Sequence, residues 1–103
     1  MEGIDLRVER NGTAATVEVS GEIDLTSAPK LDDEVTGLIE DSVNALTIGL
    51  EGVSFMDSTG LRVLLKASKL MESSGGNLVI SSPSDPVRRL LEVSGLDTHF
   101  RIN

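Results

Sequence analysis

The chain has 103 residues, 39% of them hydrophobic and 25% charged, a balance typical of a folded globular domain and remote from disordered or membrane-spanning compositions. A formal net charge of -8, with no Trp or Tyr and only two Phe, excludes the basic patches and stacking platforms that nucleic-acid binders use. The lack of Cys excludes disulfides, thiolate nucleophiles and Cys-based metal sites. The opening MEGIDLRVER has no basic stretch followed by an apolar run, and no segment approaches the ~18 apolar residues of a membrane span, so a cytoplasmic location is expected.

In chain order, Ile4, Leu6 and Val8 alternate with Asp5, Arg7 and Glu9, and beyond Asn11-Gly12 the residues Ala15, Val17 and Val19 alternate with Thr16 and Glu18. Alternation on both sides of Asn-Gly predicts an antiparallel hairpin. With Asn11-Gly12 as a two-residue turn, Arg10 pairs with Thr13, Val8 with Ala15, Leu6 with Val17 and Ile4 with Val19, which gathers the apolar side chains on one face. From Thr26 to Asp41 the stripe Ala28, Leu31, Val35, Leu38 and Ile39 predicts a helix, with Thr26 or Ser27 as N-cap and Pro29 in its first turn. Ala45 to Leu50 reads as a strand that turns Leu46, Ile48 and Leu50 to one side.

A second helix is predicted from Ser58 to about Ser73, with Leu61, Leu64, Leu65, Ser68 and Met71 on one face and Ser74-Gly75-Gly76 as its stop. Leu78 and Ile80 mark a fourth strand. Ser84-Asp85-Pro86 then opens a short helix that turns Val87, Leu90 and Leu91 inward and ends at a left-handed Gly95, and Phe100-Arg101-Ile102 adds a brief edge strand. Right-handed crossovers advancing in one direction put the helices mainly on one face of a mixed four- to five-stranded sheet. The expected fold is a single α/β domain over residues 1–103, an N-terminal β-hairpin followed by strand-helix repeats.

Function in parallel sheets gathers at the loops leaving the carboxyl ends of the strands. These are Gly21 to Thr26, Glu51 to Ser58 and Ser81 to Ser84, an acidic and hydroxyl-rich edge without a Lys. Helix-start chemistry alone makes Asp57 an N-cap, Ser58 and Thr59 first-turn residues, and Gly60 a position of close backbone approach. A hydrolytic reading fails because Met56 stands where a nucleophile elbow needs Gly and because His99, the one histidine, lies in the C-terminal tail. No phosphate-cradling Gly-x-x-x-x-Gly-Lys-Ser/Thr occurs, and without a second histidine there is little to build a transition-metal site from. The chain is therefore not expected to be an enzyme or to hold a cofactor or metal.

Three features in order, Gly21-Glu22-Ile23-Asp24 after a strand, Asp57-Ser58-Thr59-Gly60-Leu61 at a helix start, and Gly95-Leu96-Asp97 before Phe100, follow the N-terminal hairpin. Over essentially its whole length the chain resembles the anti-sigma-factor antagonists, the small single-domain members of the STAS family. The resemblance implies a partner-switching cycle. The unphosphorylated antagonist binds an anti-sigma factor that is also a serine kinase, and so frees a sigma factor for transcription. The kinase modifies the Ser after the motif's Asp, here Ser58, and a metal-dependent serine phosphatase reverses it.

By the same resemblance Asp24 contacts the kinase partner, Asp57 adjoins the acceptor within the partner surface, and Thr59 and Gly60 shape the helix start. Thr59 stands where many relatives have a second Ser, which makes it a second candidate acceptor. Arg62 recurs with Lys66 and Lys69 on the outer side of the second helix, either as a solvated face or as part of the partner surface, because it begins one turn after Ser58. Other STAS domains serve as accessory subunits of lipid-transport complexes or as stress-signalling scaffolds, and those roles call for constitutive assembly without turnover at the Ser.

Overall fold

The computed structural model describes residues 3–103. Its elements are β1 (Ile4–Asn11), β2 (Ala14–Ile23), α1 (Ala28–Glu40), β3 (Ala45–Met56), α2 (Ser58–Ser74), β4 (Asn77–Ser81), α3 (Asp85–Val93) and β5 (Arg101–Ile102). They form a five-stranded sheet in the order β1-β2-β3-β4-β5, antiparallel only between β1 and β2. Because the order never reverses, right-handed crossovers lay α1, α2 and α3 on one face, where α1 packs on β2 and on α2, α2 on β3 and β4, and α3 on β3. This is the expected mixed α/β architecture.

The hairpin forms in a register displaced by two residues from the expected one. Val8 pairs with Val17, Leu6 with Val19 and Ile4 with Gly21, while Asn11 pairs with Ala14 as the last rung. The two turn residues are therefore Gly12 and Thr13. Only Gly12 has positive φ, at 65°, the sign pattern of a type II′ turn, which wants Gly at its first central position. A shift of two leaves every side chain on its expected face, and Ala15, Val17 and Val19 are buried as predicted.

β3 differs more. It runs to Met56 instead of stopping at Leu50, and it holds one extra residue relative to β2 between Gly49 and Gly52 and another between Val53 and Phe55. Each β-bulge flips the alternation once. The inward positions consequently run Leu46, Ile48, Leu50, then Val53, then Met56, all buried. β2 likewise extends to Ile23, so much of the expected loop on either strand is sheet.

In α2 the buried stripe of Leu61, Leu64 and Met71 is joined by Gly60, Val63 and Ala67, while Leu65 and Ser68 are only half-buried. A second stripe is needed because α2 packs sideways on α1 as well as down on the sheet. Gly75, at φ 79°, ends α2, and Gly95, at φ 75°, follows Ser94 at the end of α3.

Candidate functional site

Ile23 and Met56 form the last rung between β2 and β3, so the two strands release their chains side by side. The backbone N–H of Asp57 donates to the carbonyl of Ile23 at 3.2 Å, which ties the two exits together. Asp24 and Asp57 are thus brought into one edge as the sequence suggests. The third loop is not. β4 ends opposite Gly49, and Ser84 donates its N–H to the Leu50 carbonyl at 3.2 Å, while β3 continues to Met56 at about 3.3 Å per residue. Ser82 and Ser84 therefore sit a half-strand away from Ser58, because β3 is longer than its alternating segment.

Asp57 caps α2. Its Oδ1 accepts the backbone N–H of Thr59 at 2.9 Å and also the Thr59 hydroxyl, and its own carbonyl accepts from Gly60 and Leu61 at 3.1 and 3.3 Å. Ser58, the first residue of α2, is exposed, and among the described residues its hydroxyl makes no hydrogen bond. Thr59 is half-buried with its hydroxyl proton committed to Asp57. Gly60 is buried where a Cβ would lie 2.5 Å from Met56 Cγ and 2.9 Å from Ile23 Cγ2, so α2 can begin this close to the sheet only with glycine there.

The other exit is held by a reciprocal cap one turn upstream of the expected one. Asp24 Oδ1 accepts the N–H of Thr26 at 3.0 Å, the Thr26 hydroxyl at 2.8 Å and the N–H of Ser27 at 3.1 Å. Ser27 Oγ accepts the N–H of Asp24 at 2.9 Å and donates to the Glu22 carbonyl at 2.6 Å. This is the logic of a capping box. Neither Thr26 nor Ser27 caps α1 with its own side chain, although Ser27 occupies the position before Ala28. The hydrogen bond from the Thr26 hydroxyl, followed by that from the Ser27 backbone, holds the Asp24 carboxyl below its ordinary value of 3.8, against a small opposing effect of burial.

Arg62 is exposed on α2 and borders a groove of about 240 Å³ between α1 and α2, whose walls include Leu25, Pro29, Thr59 and Val63. Lys66, one turn further on, is drawn across the helix pair to Asp32 on α1 at 3.1 Å. Two apolar residues that the sequence did not single out are exposed on the segments leading to the two helix starts: Leu25 in the β2–α1 turn is 75% exposed, and Phe55 near the end of β3 is 47% exposed. The only available signal was a large apolar residue in a polar turn and another next to a phase break.

His99 packs its ring edge-on against Phe100, with centroids 4.9 Å apart, in a depression shared with Ser68, Met71 and Glu72. That depression lies toward the C-terminal end of α2, which at about 1.5 Å per residue is more than 10 Å from Ser58. Among the described residues there is no group of three or more His, Cys, Asp or Glu placed to hold a metal ion, and no helix long and apolar enough to cross a membrane.

The sequence model of the STAS domain matches residues 5–103 of the chain. The anti-sigma-B factor antagonist of Bacillus subtilis (strain 168) is 38% identical over 93 residues, which cover 90% of this chain and 84% of that protein. Among solved structures, an anti-sigma factor antagonist from Mycobacterium paratuberculosis superposes with a TM-score of 0.86 at 32% identity, covering 96% of this chain and 84% of that one. SpoIIAA, an anti-sigma factor antagonist, matches in its unphosphorylated form with a TM-score of 0.84 at 23% identity, covering 96% of this chain and 88% of that one. The Bacillus SpoIIAA in its phosphorylated form matches at 0.77 and 22%, covering 96% and 91%. At those identities SpoIIAA bears on the fold alone.

Proposed function

Because the chain belongs to the STAS domain family, we propose that it is a regulatory anti-sigma factor antagonist whose Ser58 is the phosphate acceptor of a partner-switching cycle. Unphosphorylated, it binds an anti-sigma factor that is also a serine kinase and so releases a sigma factor. Phosphorylation of Ser58 ends that binding, and a metal-dependent serine phosphatase restores it. The observation that carries the reading is the contrast between the two neighbouring hydroxyls at the start of α2: Ser58 is exposed and unengaged, whereas Thr59 is committed to Asp57.

The chemistry of such a switch is local. A phosphoserine brings about -1.5 to -2 charges and three acceptor oxygens. At the head of α2, where Asp57 already accepts the N–H groups of Thr59, Gly60 and Leu61, the helix dipole offsets that charge by typically ~0.3–1 kcal/mol, so the helix withstands modification. Asp57 and Asp24 already make the edge acidic, and the added charge raises the desolvation cost for any partner seated on it. Neither carboxylate is a catalyst in this scheme; both hold the acceptor's surroundings in shape.

The test is incubation with purified anti-sigma factor kinases and ATP, followed by mass mapping of the phosphate and by binding measurements on variants. The expected outcome is a single phosphate on Ser58, constitutive binding by Ser58→Ala and poor binding by Ser58→Asp. A phosphate that persists in Ser58→Ala, or no modification by any such kinase, overturns the proposal.

A further inference from the structure

The turn between β2 and α1 spends its polar groups on itself. Asp24 Oδ1 is occupied by two backbone N–H groups and the Thr26 hydroxyl, and Ser27 returns a bond to the N–H of Asp24 while donating to Glu22. The carbonyl of Asp24 further accepts from Ser27 at 3.2 Å and from Ala28 at 2.8 Å. The backbone on both sides of Leu25 is therefore tied down, yet Leu25 itself stands 75% exposed. A large apolar side chain held out on an ordered turn loses little freedom when it is covered, which is the property of a binding anchor.

Leu25 forms one rim of the α1–α2 groove, and Thr59, the residue after Ser58, lies on its opposite wall with Val63. Electrostatically the groove is asymmetric. Lys66 is neutralised by Asp32, but Arg62 has no carboxylate within 4.0 Å among the described residues. On a chain of net charge -8, that leaves a cation beside apolar walls, matched by an acidic group from outside.

We propose that Leu25, Arg62 and the α1–α2 groove form a second docking point for the anti-sigma factor, receiving an apolar side chain of the partner with a neighbouring carboxylate against Arg62. The proposal rests on the switching function above, and it assigns Asp24 a positioning role, as the group that holds Leu25 out. The groove is lined by Thr59, the residue after Ser58, so a partner engaged in it is seated beside the residue to be modified.

The experiment measures binding of the unphosphorylated chain to a panel of purified anti-sigma factor kinases from the source organism, for wild type, Leu25→Ser, Arg62→Glu and Ser58→Asp. Both groove residues are exposed, and melting temperatures equal to wild type are expected. Against the kinase that wild type binds, Leu25→Ser and Arg62→Glu should each weaken binding about tenfold. The deficit of Arg62→Glu should narrow with added salt and be relieved by a Glu→Lys or Asp→Lys change in the partner. If both variants bind within about twofold of wild type while Ser58→Asp does not bind, the groove proposal falls and the switch stands. If wild type binds no kinase of the panel, both fall.

Discussion

Asp24 and Asp57 are both short acids at the end of a strand, and each closes a turn by accepting backbone N–H groups; at Asp24 the hydroxyl of Thr26 and the N–H of Ser27 hold the carboxyl below the ordinary 3.8. The folded-state value lies under the unfolded one, so the associated stability is complete above pH 3.8 and is lost as the pH falls through the folded value. An NMR titration of the Asp24 side-chain carboxyl carbon should therefore show a midpoint below 3.8, and the protection of the Thr26 and Ser27 amides relative to their intrinsic exchange rates should fall as the pH drops past that midpoint. Asp24→Asn should flatten this part of the pH dependence. A midpoint at or above 3.8 would contradict the hydrogen bonding described here. Asp57 and Gly60 were legible at this scale because helix-start chemistry is local. Asp24 as a cap was not, since Thr26 and Ser27 offer the same chemistry at the expected place and only the traced backbone shows which oxygen is used.

At the scale of elements, α2 is seated by its first turn. A Cβ on Gly60 would collide with Met56 Cγ at 2.5 Å and with Ile23 Cγ2 at 2.9 Å, and Ile23 is fully buried and branched, with little room to yield. Gly60→Ala should lower stability by ~1–3 kcal/mol in urea unfolding, the usual cost of overpacking, in spite of alanine's better helix propensity. A neutral or stabilising result would mean that α2 rides higher than it does here. The helices were readable because a period of 3.6 persists through them, as in Ala28, Leu31, Val35 and Leu38. β3 was readable only as far as Leu50, since two bulges break the period-two pattern and a strand whose inward residues run 50, 53, 56 resembles a loop. The hairpin shows the complementary limit: alternation fixes which face is buried but not a shift by two, and the choice between Asn11-Gly12 and Gly12-Thr13 as the turn rests on one φ angle. The third loop was misplaced for the same reason as β3, because the overhang of β3 beyond β4 depends on its hidden length.

For the molecule as a whole, the site is fastened to the sheet on both sides by the Ile23–Met56 rung, the Asp57-to-Ile23 hydrogen bond and the Asp24–Ser27 cap. Such a frame has little to rearrange. Amide spectra of the phosphorylated chain should differ from the unmodified spectra chiefly within residues 57–65 and in the adjacent β2–α1 turn, and widespread shifts in β4, α3 or β5 would refute a purely local switch. The placement of His99 has a further consequence. The single imidazole of the chain is exposed and stands edge-on to Phe100 toward the far end of α2, and the carboxylates of Asp24 and Asp57 each accept cap hydrogen bonds through Oδ1. Under the proposed cycle the one imidazole lies too far along α2 to activate water against the Ser58 phosphate, and clearing the mark is left to a separate enzyme. The domain then works as a memory element, its recorded state outlasting the kinase encounter that wrote it until a separate phosphatase clears it.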